Sequence, residues 1–403
     1  METSITSTWP RNVVVMGGGR WARVYVEVLL QLLPVSSKVF VYSPRSGQLM
    51  DSWIQKRGVG ERVNAFSSLP VLPASESRAV IVVNAAVDHE RSAEWAILQG
   101  AAVLVEKPLT LSFSASRRLV EKADRQGVYL AAAHVFLFAG YLHSFRRQIQ
   151  TLGQVATIDV LWADAAVEAR HGEVKSFDPG LRIFEDCIPH VMSMLEILDP
   201  GASLVMVGLE LRRGGAQLDL VFASSARRYT VRLARNGQTR RRILTAAGAA
   251  GACTLDFSCE PGTITNGAGT MSALPDWASV QKPLSCMLEG FLVAAGGGHR
   301  DPRLEPEVGL RAARLSEEIA PVYAAAQGEW LSKRLVAASD NDEDLYYALR
   351  EIAMVDDPHS PFIHKDILNR LVGEVRREAQ AAASKDLLVP ELVKSVLNKI
   401  RTK

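Results

Sequence analysis

Cysteine is scarce in this chain and badly spaced for chemistry. The 403 residues hold only Cys187, Cys253, Cys259 and Cys286, with no C-x-x-C pair. That argues against a disulfide framework or a structural zinc site. His and Cys spacings supply no ligand cluster for a catalytic metal either. No apolar run approaches the ~18 residues that cross a bilayer, so no membrane partner is expected. The stretch Met1–Thr8 is polar and lacks a basic segment followed by an apolar one, which argues against a secretory signal. Charge of one sign is also missing: 46 Lys and Arg oppose 44 Asp and Glu, a formal net charge of +2. Such a balance gives no broad electrostatic footprint for nucleic acid. The run Arg240-Arg241-Arg242 has no aromatic neighbours and is expected to be a solvated strand edge. A cytoplasmic protein with reduced thiols is the expectation.

What is present is ample core material, 48% hydrophobic residues, in a length that suggests two or three domains. Residues 1–133 alternate strand and helix signals. Short apolar runs occur at Asn12–Met16, Lys38–Tyr42, Ala79–Val83, Ala102–Val105 and Tyr129–Ala133. Helical stretches fall at Val24–Leu30, 90–99 and 113–127. Alternation of this kind predicts βαβ units and a parallel sheet covered on both faces. Residues 134–330 change pattern. A strand at Val155–Leu161 and a helix over Phe184–Leu198 precede strand candidates at Leu204–Arg212, Gln217–Ala223, Arg228–Leu233 and Arg242–Thr245. Helices are expected at Leu284–Ala295 and Glu305–Gln327. This is an α+β domain with a mainly antiparallel sheet. Residues 331–403 form a third segment with 12 basic and 12 acidic residues and a single glycine, Gly373. Its apolar positions recur at helical spacing over Asp342–Met354, Ile363–Ala383 and Pro390–Ile400, which predicts a helical extension docked on a folded body.

Gly17-Gly18-Gly19-Arg20-Trp21-Ala22 fits G-x-G-x-x-A directly after the first strand. The first glycine permits the turn, the second lets backbone approach a pyrophosphate, and the small last residue lets helix and strand pack closely. The helix N-terminus then attracts phosphate. A dinucleotide is therefore the expected cofactor. The second strand ends in Tyr42-Ser43-Pro44-Arg45-Ser46, and no acid occurs between Phe40 and Met50. An NAD-binding fold places Asp or Glu there for the ribose hydroxyls. Ser43 and Arg45 are instead suited to a 2′-phosphate.

Glu106-Lys107-Pro108 ends the fourth apolar run, where an open α/β sheet presents residues to its ligand crevice. A lysine there can hydrogen-bond a substrate hydroxyl or carbonyl. Asp186 and His190, four apart on the predicted helix, share one face. They are candidates for a carboxylate-assisted general acid/base. His171 and Asp178 sit in a loop, Ala166–Leu181, whose simplest reading is a solvated surface. Trp21 and Trp162 read as packing residues.

The ordered set of the glycine loop, Asn84-Ala85-Ala86-Val87-Asp88-His89, Glu106-Lys107-Pro108 and Asp186-x-x-x-His190 resembles the Gfo/Idh/MocA oxidoreductase family, the glucose–fructose oxidoreductase and inositol dehydrogenase group. The resemblance spans residues 11–325. Ala133–Phe138 is similar to that family's strand crossing into the second domain. Thr245–Asp256 is similar to its late strand segment, and Lys282–Arg314 to its closing helices. Ala86, Val191 and Ala139-Gly140-Tyr141 depart from the usual pattern. The resemblance implies a Rossmann domain that binds NAD(P), contacted by Asn84, His89, Glu106 and Lys107 as well as the glycine loop, and a second domain that holds the substrate. It implies Lys107 and His190 as catalytic residues with Asp186 alongside. Lys107 would then lie between the nicotinamide and the Asp186/His190 helix face. With Arg45, the expectation is an NADP-preferring oxidoreductase, NAD being the alternative cofactor, acting on a sugar, nucleotide-sugar or cyclitol. Reduction of a C=N bond, or cofactor sensing without catalysis, are the competing functions. A homodimer or homotetramer is also implied.

Overall fold

The computed structural model describes residues 9–69, 78–170, 173–174, 180–337, 342–356, 370–375, 377–378 and 395–396. The chain divides into two compact units. The first comprises residues 1–143, 189–201 and 274–314; the second comprises 144–188, 202–273 and 315–403.

In the first unit the elements run β1 (Asn12–Met16), α1 (Arg20–Leu32), β2 (Lys38–Tyr42), α2 (Gly47–Arg57), β3 (Val63–Phe66), β4 (Arg78–Val82), α3 (His89–Leu98), β5 (Ala102–Glu106), α4 (Phe113–Arg125) and β6 (Leu130–Ala133). The strands form one parallel sheet in the order β3-β2-β1-β4-β5-β6. Order reverses at β1, so the crevice beyond the carboxyl ends of β1 and β4 is the ligand position of this architecture. Val14, Met16, Val80, Val82, Val103 and Val105 pack against Ala93, Ala96 and Ile97 of α3. The near-continuous valine runs reflect burial on both sheet faces. In α1, Ala22, Tyr25, Val26 and Leu29 are buried at helical spacing. Ser112 caps α4, its hydroxyl accepting from the Ala115 amide at 3.1 Å.

Two elements here escape the periodicity reading. The α2 sequence, GQLMDSWIQKR, buries only Met50 and Ile54, too thin a stripe to register as amphipathic. β3 is four residues long. Val135–Phe138, expected as a strand crossing onward, is instead a short 3₁₀ turn. Its amides close on local carbonyls, Leu137 on His134 and Ala139 on Phe136, so no ladder partner is needed. Helix α5 (Gly140–Gln150) follows, an element that the sequence pattern does not predict.

The second unit holds an eight-stranded sheet made of β7 (Val155–Ala165) and later strands, with a separate two-stranded ladder of β8 (Ala169–Arg170) and β9 (Glu173–Val174). After α6 (Ile183–Leu198) come β10 (Val205–Arg212), β11 (Gln217–Ala223), β12 (Arg228–Gly237), β13 (Arg241–Gly248), β14 (Gly251–Asp256), β15 (Thr263–Asn266) and β16 (Gly269–Ser272). Their order is β10-β11-β12-β7-β13-β14-β15-β16. Every pairing is antiparallel except β12 with β7. Inward residues alternate along the strands: Leu218, Leu220 and Phe222 on β11, Tyr229, Val231 and Leu233 on β12. The short, polar β15 and β16 carried no pattern to find.

The arginine run does not lie at a sheet edge, and of its three side chains only Arg241 is exposed. β13 lies between β7 and β14, and Arg242 is 2% exposed. Its guanidinium stacks 3.7 Å from the Trp162 ring centroid, donates to the Ala163 carbonyl and pairs with Asp164. A stacked, paired guanidinium is buried at far lower cost than a bare cation. Trp162 is thereby a packing residue, as expected.

Helix α7 (Pro283–Ala295) belongs to the first unit, and α8 (Glu307–Ala337) runs ten residues beyond the expected end. α9 (Glu343–Asp356) packs on its own chain. Leu345, Leu349, Ile352 and Ala353 join Leu331 and Leu335 of α8 in one apolar cluster, together with Leu371, Val372, Val375 and Val396. A Cβ on Gly214, which has φ +68°, would stand 2.4 Å from the Asp344 carbonyl oxygen, so the tip between β10 and β11 accepts α9 only with glycine there. The helices expected over Ile363–Ala383 and Pro390–Ile400 lie outside the described residues, save 370–375, 377–378 and 395–396.

α9 also buries a carboxylate. Glu351 is 1% exposed, and burial pushes it up to about 7 against the opposing pull of Tyr323, Arg235 and Gln327. The folded state therefore holds this proton more tightly than the unfolded chain, near 4.5. Its stabilising effect is complete below pH 4.5 and is lost as pH rises through 7. Between about pH 5 and 8, urea unfolding should show the wild-type stability falling relative to Glu351→Gln by about 3 kcal/mol at most. A constant difference across that range would show that Glu351 does not titrate there.

Candidate active site

The glycine loop leaves β1 where the sheet order reverses. Gly17 has φ +138°, and a Cβ on it would meet the Val83 carbonyl oxygen at 2.7 Å and the Asn84 amide at 2.9 Å. A Cβ on Gly18 would stand 2.0 Å from Ser43 Oγ. Within the loop, only Gly19 faces open space. Gly19 also begins α1 without a side-chain cap, which leaves the first helical amides to be satisfied from outside. Across the loop, Asn84 donates to Ser92 Oγ at 2.8 Å, while its own buried Oδ1 has no partner. An uncapped helix start, an open glycine and an orphan buried acceptor fit a dinucleotide phosphate bridge and its neighbouring polar groups.

The remaining predicted cofactor residues divide. Ser43 is buried under Gly18, with its hydroxyl 2.7 Å from Ser46 Oγ. Arg45 is exposed and pairs with Asp88. Asp88, in the loop after β4, reaches Arg45 through space rather than in sequence. Glu106 is buried and folded back: Oε1 accepts from Tyr25 Oη at 2.5 Å and Trp21 Nε1 at 2.8 Å, and Oε2 accepts from the Lys107 amide at 2.8 Å. Burial, and then the adjacent Glu106, holds Tyr25 well above the usual phenol range. Trp21 is accordingly an anchor for Glu106 with its ring edge against Tyr25.

His89 is buried with both ring nitrogens on carbonyls, Nδ1 at 2.7 Å from Pro108 O and Nε2 at 3.2 Å from Asn84 O. Burial lowers its pKa. With the proton on Nδ1, the nearer nitrogen, the neutral ring donates to the Pro108 carbonyl and fixes the turn that follows Lys107. Arg20 is half-buried and Ala22 buried at the start of α1.

Lys107 is half-buried at the end of β5. Its charge acts on His134, a residue that the sequence pattern marks only as part of the crossing into the second domain. His134 is 3% exposed, and burial, helped by Lys107 and Arg311, lowers it to about 4. Its ring hydrogen-bonds the Pro189 carbonyl, immediately before His190. The His190 ring lies edge-on to Phe136, with centroids 5.3 Å apart and planes at 82°. Within the first unit His134, held neutral by burial, ties the end of β6 to the backbone just before His190. A histidine at the carboxyl end of a parallel strand was the signal for it. In the second unit, Asp186 on the first turn of α6 pairs with buried Arg235 at 3.3 Å. His171 and Asp178 lie outside the described residues. Among the described residues no cluster of metal-binding side chains occurs, and no helix is long and apolar enough to cross a membrane.

Comparison with known proteins agrees with the fold. A search of curated proteins found no match. Solved structures with the same fold include UDP-N-acetylglucosamine 3-dehydrogenase GnnA from Acidithiobacillus ferrooxidans, at 17% identity and TM-score 0.61, covering 78% of this chain and 98% of that one. A point mutant of KijD10, a 3-ketoreductase from Actinomadura kijaniata in complex with TDP-benzene and NADP, is 18% identical with TM-score 0.64, covering 77% and 97%. GenD2 from gentamicin A biosynthesis, in complex with NAD, is 19% identical with TM-score 0.60, covering 76% and 92%. Residues 11–134 match the family described as Oxidoreductase family, NAD-binding Rossmann fold. Residues 11–134 are therefore an NAD-binding Rossmann domain of the kind that the Gfo/Idh/MocA oxidoreductase family carries.

Proposed function

We propose that the protein transfers a hydride between NADP, in preference to NAD, and a hydroxyl- or keto-bearing carbon of a sugar, nucleotide-sugar or cyclitol. The observation that carries it is the placement of Lys107 at the carboxyl end of β5, next to β6, whose own end leads into His134 on the Pro189 carbonyl immediately before His190. It supports one cation and one imidazole acting on the same oxygen. A bound nicotinamide supplies or accepts the hydride. Lys107 donates a hydrogen bond to the reacting oxygen and stabilises the negative charge that grows there as its proton leaves. His190 takes that proton in oxidation and returns it in reduction. Asp186, one helical turn ahead, shares the substrate's hydroxyl contacts. His134, kept neutral, holds the backbone at Pro189 without adding a second positive charge beside Lys107. The substrate class is supported by GnnA and KijD10, whose names specify a nucleotide-sugar dehydrogenase and a 3-ketoreductase.

The test is a panel of polyols, sugars and nucleotide-sugars with each cofactor, followed at the reduced-nicotinamide absorbance band. Bound cofactor without turnover on any member would favour a sensing role.

Arg45 supports the NADP preference, as the cation just beyond the end of β2. Its pairing with Asp88 would give way to a 2′-phosphate, which carries more charge. Arg45→Asp should weaken NADP binding roughly tenfold or more, the scale of a lost charge-assisted contact. NAD binding should barely change. Fluorescence titration of both cofactors decides this; equal weakening would assign Arg45 to the adenosine or to no contact.

A further inference from the structure

Helix α9 lies in the segment that the family resemblance leaves unexplained. We propose that Tyr347 and Glu351 of α9 are positioning residues for hydride transfer: they hold Arg235, and Arg235 holds the Asp186 carboxylate one helical turn ahead of His190. This rests on the proposed role of Asp186.

The contacts form a continuous chain within the second unit. Glu351 Oε1 accepts from Tyr323 Oη at 2.6 Å and from Gln327 Nε2 at 2.9 Å, both on α8. Glu351 Oε2 accepts from Tyr347 Oη at 3.4 Å. The Tyr347 hydroxyl in turn accepts from an Arg235 guanidinium nitrogen at 3.3 Å. That nitrogen also donates to the Leu181 carbonyl at 2.7 Å, just before α6 begins. The other terminal nitrogen donates to Asp186 Oδ2 at 3.3 Å. Arg235 therefore grips both the entry to α6 and its first-turn acid.

Burial gives the arrangement a direction. The Arg235 side chain is 2% exposed, whereas that of Asp186 is 27% exposed. The cation stands behind the carboxylate, and the carboxylate is what reaches outward. A buried guanidinium keeps its place through the acceptors around it. The tyrosine of α9 supplies one of those acceptors, so removing it loosens the arginine and, through it, the acid. Tyr347 and Glu351 touch neither substrate nor cofactor in this scheme. They act through Arg235 alone.

A double-mutant cycle separates positioning from mere support. Tyr347→Phe keeps the ring and deletes the hydroxyl. It should lower kcat roughly tenfold, the size of one hydrogen bond to a charged group, with cofactor KM unchanged. In an Asp186→Asn background the same change should lower kcat by less than about twofold, since the carboxylate through which it acts is gone. Equal loss in both backgrounds, or no loss in either, overturns the proposal. Should Tyr347→Phe fail to fold, Glu351→Gln is run through the same cycle at pH 8, where the carboxyl is ionised and the amide is not, with the same criteria. The contact is also read without turnover. The side-chain carboxyl ¹³C resonance of Asp186, assigned as the one lost in Asp186→Asn, should shift at constant pH in Tyr347→Phe. An unmoved resonance overturns the proposal even if the enzyme is active. If no substrate in the panel turns over, the functional reading fails, and the resonance still decides the contact.

Discussion

Lys107→Ala and His190→Ala are each expected to lower kcat by about 100-fold or more, the usual scale for a general acid/base. Cofactor dissociation constants should stay close to wild type. Neither side chain is needed for the glycine loop, the uncapped start of α1 or the orphan Asn84 acceptor. The double variant should be little worse than the poorer single one, because two groups acting on one oxygen behave as a unit. Steady-state rates at the reduced-nicotinamide band, with fluorescence titration of the cofactor, check both statements. Near-full activity in both single variants would remove them from the reaction.

Ending the chain at residue 337 is expected to cost the protein its solubility or its fold. Leu345, Leu349 and Ile352 are all buried in the cluster they share with α8. At about 1.5–3 kcal/mol for each side chain, their loss removes on the order of 5–9 kcal/mol, comparable to the whole stability of a typical domain. Tyr323 and Gln327 would lose their buried acceptor as well, at about 1–3 kcal/mol for each unsatisfied group. Expression yield, light scattering and thermal unfolding of the truncated chain test this. A soluble truncated protein with unchanged stability would mean that α9 is not integral to the second unit.

The parallel sheet was legible because doubly buried strands must be apolar throughout. Asn12–Met16, Lys38–Tyr42 and Ala102–Val105 stand out as apolar runs for that reason. Helices with a full apolar stripe, such as α6, were legible from period 3.6. α2, β3, β15 and β16 were not, since each buries too few residues to leave a pattern. Arg242 shows the opposite failure. Its charge predicts exposure, and only the Trp162 ring and Asp164, both far earlier in the chain, make burial tolerable.

Covalent neighbours were enough to specify the local pieces of the site: a glycine loop after a strand, a lysine at a strand end, an acid and a histidine four apart on a helix. Turn geometry and helical spacing act over a few residues, so these pieces could be read in order along the chain. What they touch was decided only by folding. It brought Asp88 to Arg45, turned Glu106 onto Tyr25 and Trp21, and set His134 against Pro189. It also carried Tyr347, 112 residues further along, to Arg235. Such contacts depend on where strand order and sheet register place distant segments, and no local propensity encodes the partner of a buried charge.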